Sequence, residues 1–288
     1  MNDKIFVSIA SYRDPQTSST IKSLLNNAKF PDNIRIGVIE QNLKNDWWFG
    51  VTHKKGSIRV LRLSEGKGPA YARFLASTLW NSEKWYLQID SHMKFIKNWD
   101  IILIDEMKKC DGPRSILTCY PPPNLPLENV RVRSITENWS TDKQGHVIAQ
   151  GKIIPGSEQP SLGIFVSAGF MFFESALFLK EIPYDPCLKY LFQGEEILLS
   201  GRLFTRGWKI YHPSCCVCAH DYIRKDDPKV WNDSKNFWKN NEKVVRKYRY
   251  LTHQLKSGPP KSPGIYGLGT ERSPEQWKKA IGLTQLFD

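Results

Sequence analysis

The sequence predicts an α/β protein in which helices flank a Rossmann-like, mostly parallel sheet, followed by a smaller antiparallel region. Three observations carry this reading. Strands and helices alternate through residues 1–120, the pattern of a doubly wound sheet. The helix expected near Thr17 to Ala28 sets Ile21, Leu24, Leu25 and Ala28 at i, i+3, i+4 and i+7, one apolar stripe to lay on a sheet. The apolar strand Lys84 to Asp90 ends in the polar run Gln88-Ile89-Asp90-Ser91-His92, where a strand of such a sheet meets solvent.

The elements follow in order. A strand at Ile5–Ala10 leads through the Asp14-Pro15 turn into that first helix. A second strand covers Ile34–Glu40, and a polar insertion from Asn42 to Gly56 separates it from a third at Ile58–Leu63. Gly66-Lys67-Gly68-Pro69 is a turn, since glycine and proline punctuate regular structure, and a helix from Ala70 to Trp80 follows it. After the Lys84–Asp90 strand come a helix at Asn98 to Lys109 and a strand at Ser115–Cys119. Pro121-Pro122-Pro123 then breaks the chain. In the second half, Val130 to Ile154 reads as short antiparallel strands and Phe165 to Phe173 as an apolar-aromatic run that holds Gly169. A helix is expected from Glu195 to Arg206, with short strands at Trp208–Tyr211 and Cys215–Ala219. One long basic, aromatic helix is expected from Trp231 to Arg249, and Lys256 to Gly269 reads as a Pro- and Gly-rich loop. The chain is expected to be one domain, with a nucleotide-binding half at 1–120 and an acceptor-side half at 121–288.

Composition narrows the function. A chain of 288 residues can bury a substantial core, and no run of about 18 apolar residues is available to span a membrane. Met1-Asn2-Asp3-Lys4 runs directly into a strand, which leaves no room for a signal peptide, and a cytoplasmic location is expected. Six cysteines without a secretory signal read as free thiols. The net charge is +12, and Tyr222 to Asp288 holds 14 Lys and Arg against 7 Asp and Glu. Such an excess suits nucleic acid, an anionic surface or acidic small molecules, and it equally describes a solvated helix face. No nucleic-acid motif accompanies it, so no nucleic-acid partner is expected.

The strand end carries chemistry. Side chains alternate along a strand, so Trp85, Leu87 and Ile89 face one way and Tyr86, Gln88 and Asp90 the other. If the extended geometry continues, His92 joins Asp90, and a carboxylate and an imidazole converge at the sheet edge. That pair suits a divalent cation of the manganese type, and open α/β sheets bind ligands outside the carboxyl ends of their strands. The competing reading is a polar loop after a strand.

Several stretches together resemble the cytoplasmic hydroxyproline N-acetylglucosaminyltransferase family, whose best-known members glycosylate the adaptor subunit of F-box ubiquitin ligases. They are Ile5 to Asp14, Gly68-Pro69 with Ala72-Arg73, Tyr86 to Met93 with Trp99-Asp100, Ser167-Ala168-Gly169-Phe170, Phe192-Gln193-Gly194-Glu195-Glu196, His220, and Tyr266 to Ser273. The resemblance runs in order through nearly the whole chain. It implies a GT-A glycosyltransferase fold, a nucleotide-sugar donor (UDP-GlcNAc) and a divalent metal, Mn2+ or Mg2+. The polypeptide N-acetylgalactosaminyltransferases look like more distant relatives, since they also pair D-x-H with a later histidine. The implied reaction moves N-acetylglucosamine to a hydroxyl on a protein or glycan, with retention of configuration. The chain is short for the family, which leaves the acceptor open.

Site residues follow from these matches. Ser8, Ala10, Ser11 and Arg13 end the first strand, where small residues admit a nucleoside and an arginine can pair with phosphate or order the loop. Arg73 begins a helix within reach of a diphosphate or sugar, or else forms a structural ion pair. His220 completes a metal trio with Asp90 and His92. Cys215, Cys216 and Cys218 with His220 compete as a zinc site, but they lack paired C-x-x-C spacing and adjacent strand residues point apart, so core packing is the better account. Glu195 and Glu196, at a helix start, either complement the positive helix terminus or face the sugar and acceptor, with Glu195 favoured as the sugar contact. Gly169 lets the donor sugar lie against the backbone, or accommodates packing. Arg272 enters as a donor contact through the resemblance alone. The rivals to an enzyme are an inactive nucleotide-sugar-binding relative and a nucleic-acid-binding protein.

Overall fold

The computed structural model describes residues 3–42, 57–123, 132–141, 146–223, 226–252 and 264–282. In chain order the strands of the first half are β1 (Ile5–Ser11), β2 (Ile34–Gln41), β3 (Ile58–Leu63), β4 (Trp85–Asp90), β5 (Met93–Phe95) and β6 (Ser115–Thr118). Its helices are α1 (Thr17–Asn27), α2 (Pro69–Ser77) and α3 (Trp99–Lys108). The second half supplies β7 (Val132–Thr141), β8 (Val147–Pro155), β9 (Ser161–Gly163), β10 (Phe170–Glu174), β11 (Lys209–His212) and β12 (Cys218–His220). Its helices are α4 (Ser175–Glu181), α5 (Glu195–Thr205), α6 (Val230–Asp233), α7 (Phe237–Leu251) and α8 (Pro274–Ala280).

Eight strands form the central sheet in the order β3-β2-β1-β4-β10-β6-β11-β9. The first four are parallel, and β10 lies antiparallel between β4 and β6. The expected alternation sorts the core. Ile5, Val7 and Ile9 of β1 with Trp85, Leu87 and Ile89 of β4 pack under Ile21 and Leu24 of α1 and Trp99 and Leu103 of α3. Phe6 and Tyr86 point the other way, toward Phe178 of α4 and Leu199 and Leu203 of α5. Each fully buried aliphatic or aromatic side chain contributes roughly 1.5–3 kcal/mol relative to an exposed one, so this alternation fixes register as well as stability. Two small antiparallel pairs, β5 with β12 and β7 with β8, sit outside the main sheet.

Three expectations are corrected. The single helix over Trp231–Arg249 is two, α6 and α7, with Ser234–Asn236 between them. Asp233 is drawn toward Tyr12 and Arg13 while Phe237 is buried, so opposing tertiary contacts break a run that looks continuous. The aromatic run at 165–173 is a strand only from Phe170 onward, because Ala168-Gly169 form a turn bridged by Ser167 and Phe170. The strand expected at Cys215–Ala219 is shifted to β12, where Cys218 and His220 pair with Phe95 and Met93. Of the expected insertion Asn42 to Gly56 and loop Lys256 to Gly269, residues 43–56 and 256–263 lie outside the described residues, and Gly264–Tyr266 forms a short 3-10 turn. Among the described residues no helix is long and apolar enough to cross a membrane.

Candidate active site

Asp90 ends β4, and the chain bends at Ser91-His92 before β5 starts. The Thr20 hydroxyl donates to the Ser91 carbonyl at 2.8 Å and accepts the Met93 amide at 2.9 Å, which pins this corner to α1. β12 pairs with β5 so that His220 stands opposite Met93, and the His92 and His220 rings come to 4.5 Å between centroids. One ligand atom from each of Asp90, His92 and His220 lies within 4.8 Å of the others, a spacing that can hold a metal ion. The strand-end pair expected from sequence is therefore joined by the later histidine.

The groups around the trio fit a cation. Asp14 is fully buried, and its Oδ2 accepts from the Ser91 hydroxyl and from His92 Nδ1 at 2.7 Å. A carboxylate holding Nδ1–H fixes the tautomer and leaves the Nε2 lone pair for an ion, the usual support of a metal-binding histidine. His220 Nε2 lies 3.2 Å from Asp90 Oδ2, and its buried Nδ1 has no hydrogen-bond partner among the described residues. Two imidazoles and a carboxylate suit an ion that accepts both nitrogen and oxygen.

Behind the trio lies a buried charge network. Arg73 projects from α2, which begins at Pro69 after Gly68 adopts φ +86°. Its guanidinium donates to Asp90 Oδ1 at 3.0 Å and to Glu195 Oε2. Burial pushes the Asp90 carboxyl up, but the hydrogen bond from His220 and the charge of Arg73 outweigh it and hold the group well below the usual carboxylate range. Burial likewise works against the Arg73 charge, and Glu195 and Asp90 more than restore it. Gly169 seals the other side of Asp90. A Cβ there would lie 2.7 Å from Asp90 Oδ2, so no larger residue fits without displacing the carboxylate.

Two clefts meet at this point. The first, 250 Å³ in volume, is lined by Ala10, Tyr12, Gln41, Gly68, Lys229 and Trp231. The second, 490 Å³, is lined by Arg73, Tyr120, Ala149, Gly169, Glu195 and Glu196. Pro69, Asp90, Phe192 and His220 belong to both. In the second cleft Tyr120 donates its hydroxyl to Glu196 Oε2, and the Ala168 amide donates to Oε1 at 2.8 Å. Burial raises the Glu196 carboxyl to about 7, against the pull of these two donors.

The structure brings together Arg73, Asp90, His92, Gly169, Glu195, Glu196 and His220, and it keeps Ala10 on the first cleft. Glu195 is occupied by Arg73, whereas Glu196 is only partly buried. Other expectations are corrected. Ser8 and Ser11 are fully buried, Ser8 in mid-strand and Ser11 beside the Thr17 hydroxyl, so neither lines a cleft. Arg13 is held by Asp233 at 2.7 Å and so orders a loop, the second of its two expected roles. Arg272 packs on the Phe204 ring and donates to the Gly207 carbonyl, at the far end of α5. Ten residues of helix separate that end from Glu195, roughly 15 Å. Asp14, Tyr120 and Gln41 join the site without a sequence signal of their own. Asp14 looked like a turn residue before proline, and only its non-local contacts reveal more. The cysteines do not gather around His220, since Asp90, His92 and His220 form the metal-competent group found among the described residues.

Comparisons with known proteins give the family and the fold. The profile of the family described as Glycosyltransferase (GlcNAc) matches residues 4–54 and 51–287. No curated protein matches the sequence. Among solved structures, the chain is similar to GalNAc-T7 with UDP, GalNAc and Mn2+, at a TM-score of 0.62 and 14% identity, over 97% of this chain and 56% of that one. It is similar to the mannosyltransferase PcManGT from Pyrobaculum calidifontis in complex with GDP-Man and Mn2+, at 0.52 and 11%, over 89% and 66%. It is also similar to S. aureus TarS 1-349 in complex with UDP-GlcNAc, at 0.50 and 14%, over 99% and 82%. The chain spans little more than half the length of the GalNAc-T7 chain. The expected α/β architecture is thus the GT-A fold.

Proposed function

Because the chain belongs to the Glycosyltransferase (GlcNAc) family, we propose that it transfers N-acetylglucosamine from UDP-GlcNAc to a hydroxyl of an acceptor, a protein hydroxyproline, Ser or Thr. The nucleotide lies in the first cleft and the sugar and acceptor in the second. The observation that carries this reading is the trio Asp90, His92 and His220 at the junction of the two clefts, with Asp14 orienting His92. Asp90, His92 and His220 would hold Mn2+ or Mg2+, which would supply positive charge to offset that of the departing diphosphate.

The chain's own residues supply the rest. Asp90 stays ionised because Arg73 and His220 flank it, so it is ready as an anionic ligand. Arg73 holds Asp90 and Glu195 in one rigid unit and presents a fixed positive charge beneath the diphosphate. The Gly169 backbone lines the second cleft, where the donor sugar lies against it, and lets the Asp90 carboxylate approach closely. Glu196, carrying the Tyr120 hydroxyl, faces the second cleft and orients the acceptor hydroxyl. Retention of configuration needs no separate base, since the leaving phosphate oxygen can take the acceptor's proton.

A panel of UDP- and GDP-sugars with Mn2+, reading released nucleotide, tests the proposal. Release from UDP-GlcNAc above that from UDP-galactose and GDP-mannose supports it. Equal release from every donor, or none from any, overturns it.

A further inference from the structure

We infer that Gln41 reads the donor's nucleobase by donating a hydrogen bond to a base carbonyl; the inference rests on the first cleft being the nucleotide site.

Gln41 is the last residue of β2, is 3% exposed, and lines the first cleft. Its Oε1 accepts the Lys67 backbone amide at 2.7 Å. A backbone amide can only donate, so this contact fixes which end of the side chain is oxygen. The NH2 end is left with no hydrogen-bond partner among the described residues. The Lys67 amide is not free to wander, because the Lys67 carbonyl accepts the Tyr190 amide at 2.6 Å. The side chain therefore presents donors only, from a rigid mount.

Position assigns these donors to the base. Ala10 of β1 pairs with Asp90 on one side and Ile39 on the other. Gln41 thus stands two strands across from Asp90, roughly 10 Å, and two residues further along, roughly 7 Å. A nucleoside diphosphate with its phosphates at the trio must extend about that far to its base. Tyr12 lies on the way, and its ring is fixed by the bond from its hydroxyl to Asp233 at 2.6 Å, giving a flat face for a base. The base edge remote from the ribose carries a carbonyl in uracil and an amine in cytosine. Gln41 donates to the first, whose oxygen accepts, and leaves the second unpaired, with donor facing donor.

The test is calorimetric binding of UDP, CDP and GDP with Mn2+ at pH 8, to the whole chain and to Gln41→Glu. The wild type should bind UDP roughly ten- to a hundredfold tighter than CDP, the loss that one unmade buried hydrogen bond produces. In Gln41→Glu the introduced carboxylate still accepts the Lys67 amide but turns an acceptor toward the base, so the UDP-to-CDP preference should shrink or invert. Because this readout is a ratio within one preparation, an unfolded fraction does not alter it. If that variant fails to fold, Gln41→Met, which removes the donors without adding charge, should lose the discrimination. UDP binding with an unchanged ratio in the variants overturns the role of Gln41 and leaves the nucleotide site standing. Tighter binding of CDP or GDP than UDP by the wild type also overturns it. A wild type that binds no nucleoside diphosphate overturns both readings together.

Discussion

The two clefts share four residues yet are built on opposite principles. The polar groups of the first are each held by one partner: His92 by the buried Asp14, Gln41 by the Lys67 backbone amide, and Tyr12 by the exposed Asp233. The second is lined by acidic and phenolic groups from distant stretches of chain, including Tyr120, Glu195 and Glu196. The contrast is sharpest between Asp90, at the junction, and Glu196, in the second cleft. Asp90 is pulled down by an imidazole and a guanidinium, whereas Glu196 has only neutral donors and is pushed up by burial to about 7. Asp90 is thus held ionised because His220 and Arg73 together outweigh its burial, whereas at Glu196 burial outweighs the donors.

The largest break in this contrast comes from the shared residue. Asp90→Asn should lower released UDP by about 10²- to 10³-fold, the scale of losing one preorganised electrostatic contact, while far-UV circular dichroism stays native. Undiminished turnover in that variant would remove the trio from the mechanism. Next in size is the tie between the clefts. Arg73→Met leaves Glu195 buried without its counter-charge and should cost about 3–5 kcal/mol in urea unfolding. A variant as stable as the wild type would show that the ion pair is not what joins them.

Asp14→Asn touches only the first cleft. It should weaken Mn2+ binding about 10- to 100-fold by titration, because His92 loses the group that orients it. Equal Mn2+ affinity would mean that Asp14 merely closes a turn. The smallest effect belongs to Glu196 and the second cleft. Its folded carboxyl titrates at about 7 against an ordinary 4.5, so the folded state holds the proton more tightly. Its stabilising contribution is complete below pH 4.5 and is lost as pH rises through 7. Unfolding free energy should therefore fall by about 1–3 kcal/mol from this group between pH 5 and 8, and Glu196→Gln should remove that slope. A slope that survives the substitution would place the titrating group elsewhere.

How much of this was legible in sequence depends on distance along the chain. β1, α1 and β4 follow from local periods of 2 and 3.6, and their bounds fall close to those expected. Asp90 and His92 stand out because a polar pair ends an apolar strand. His220 lies 130 positions from Asp90, and only the resemblance linked them. The partnership of Arg73 with Glu195 spans 122 positions and leaves no local mark, so the sequence offers an ion pair for Arg73 without naming its partner. Arg272 failed for a related reason, since an ordered list of matches carries no spatial information. The helix at 231–249 failed because composition reports what a segment tolerates, whereas Asp233 and Phe237 are pulled to different neighbours.

The reversed strand β10 has a consequence for any attempt to dissect the molecule. It sits between β4 and β6 and completes the backbone pairing of both, although it arrives some fifty residues after the latter. A fragment ending near residue 120 would leave one edge of β4 open and, because β11 is missing as well as β10, β6 with no partner strand at all. Such a fragment should aggregate rather than fold, and in the intact chain the final zipping of the sheet must wait for the distal half to be synthesised.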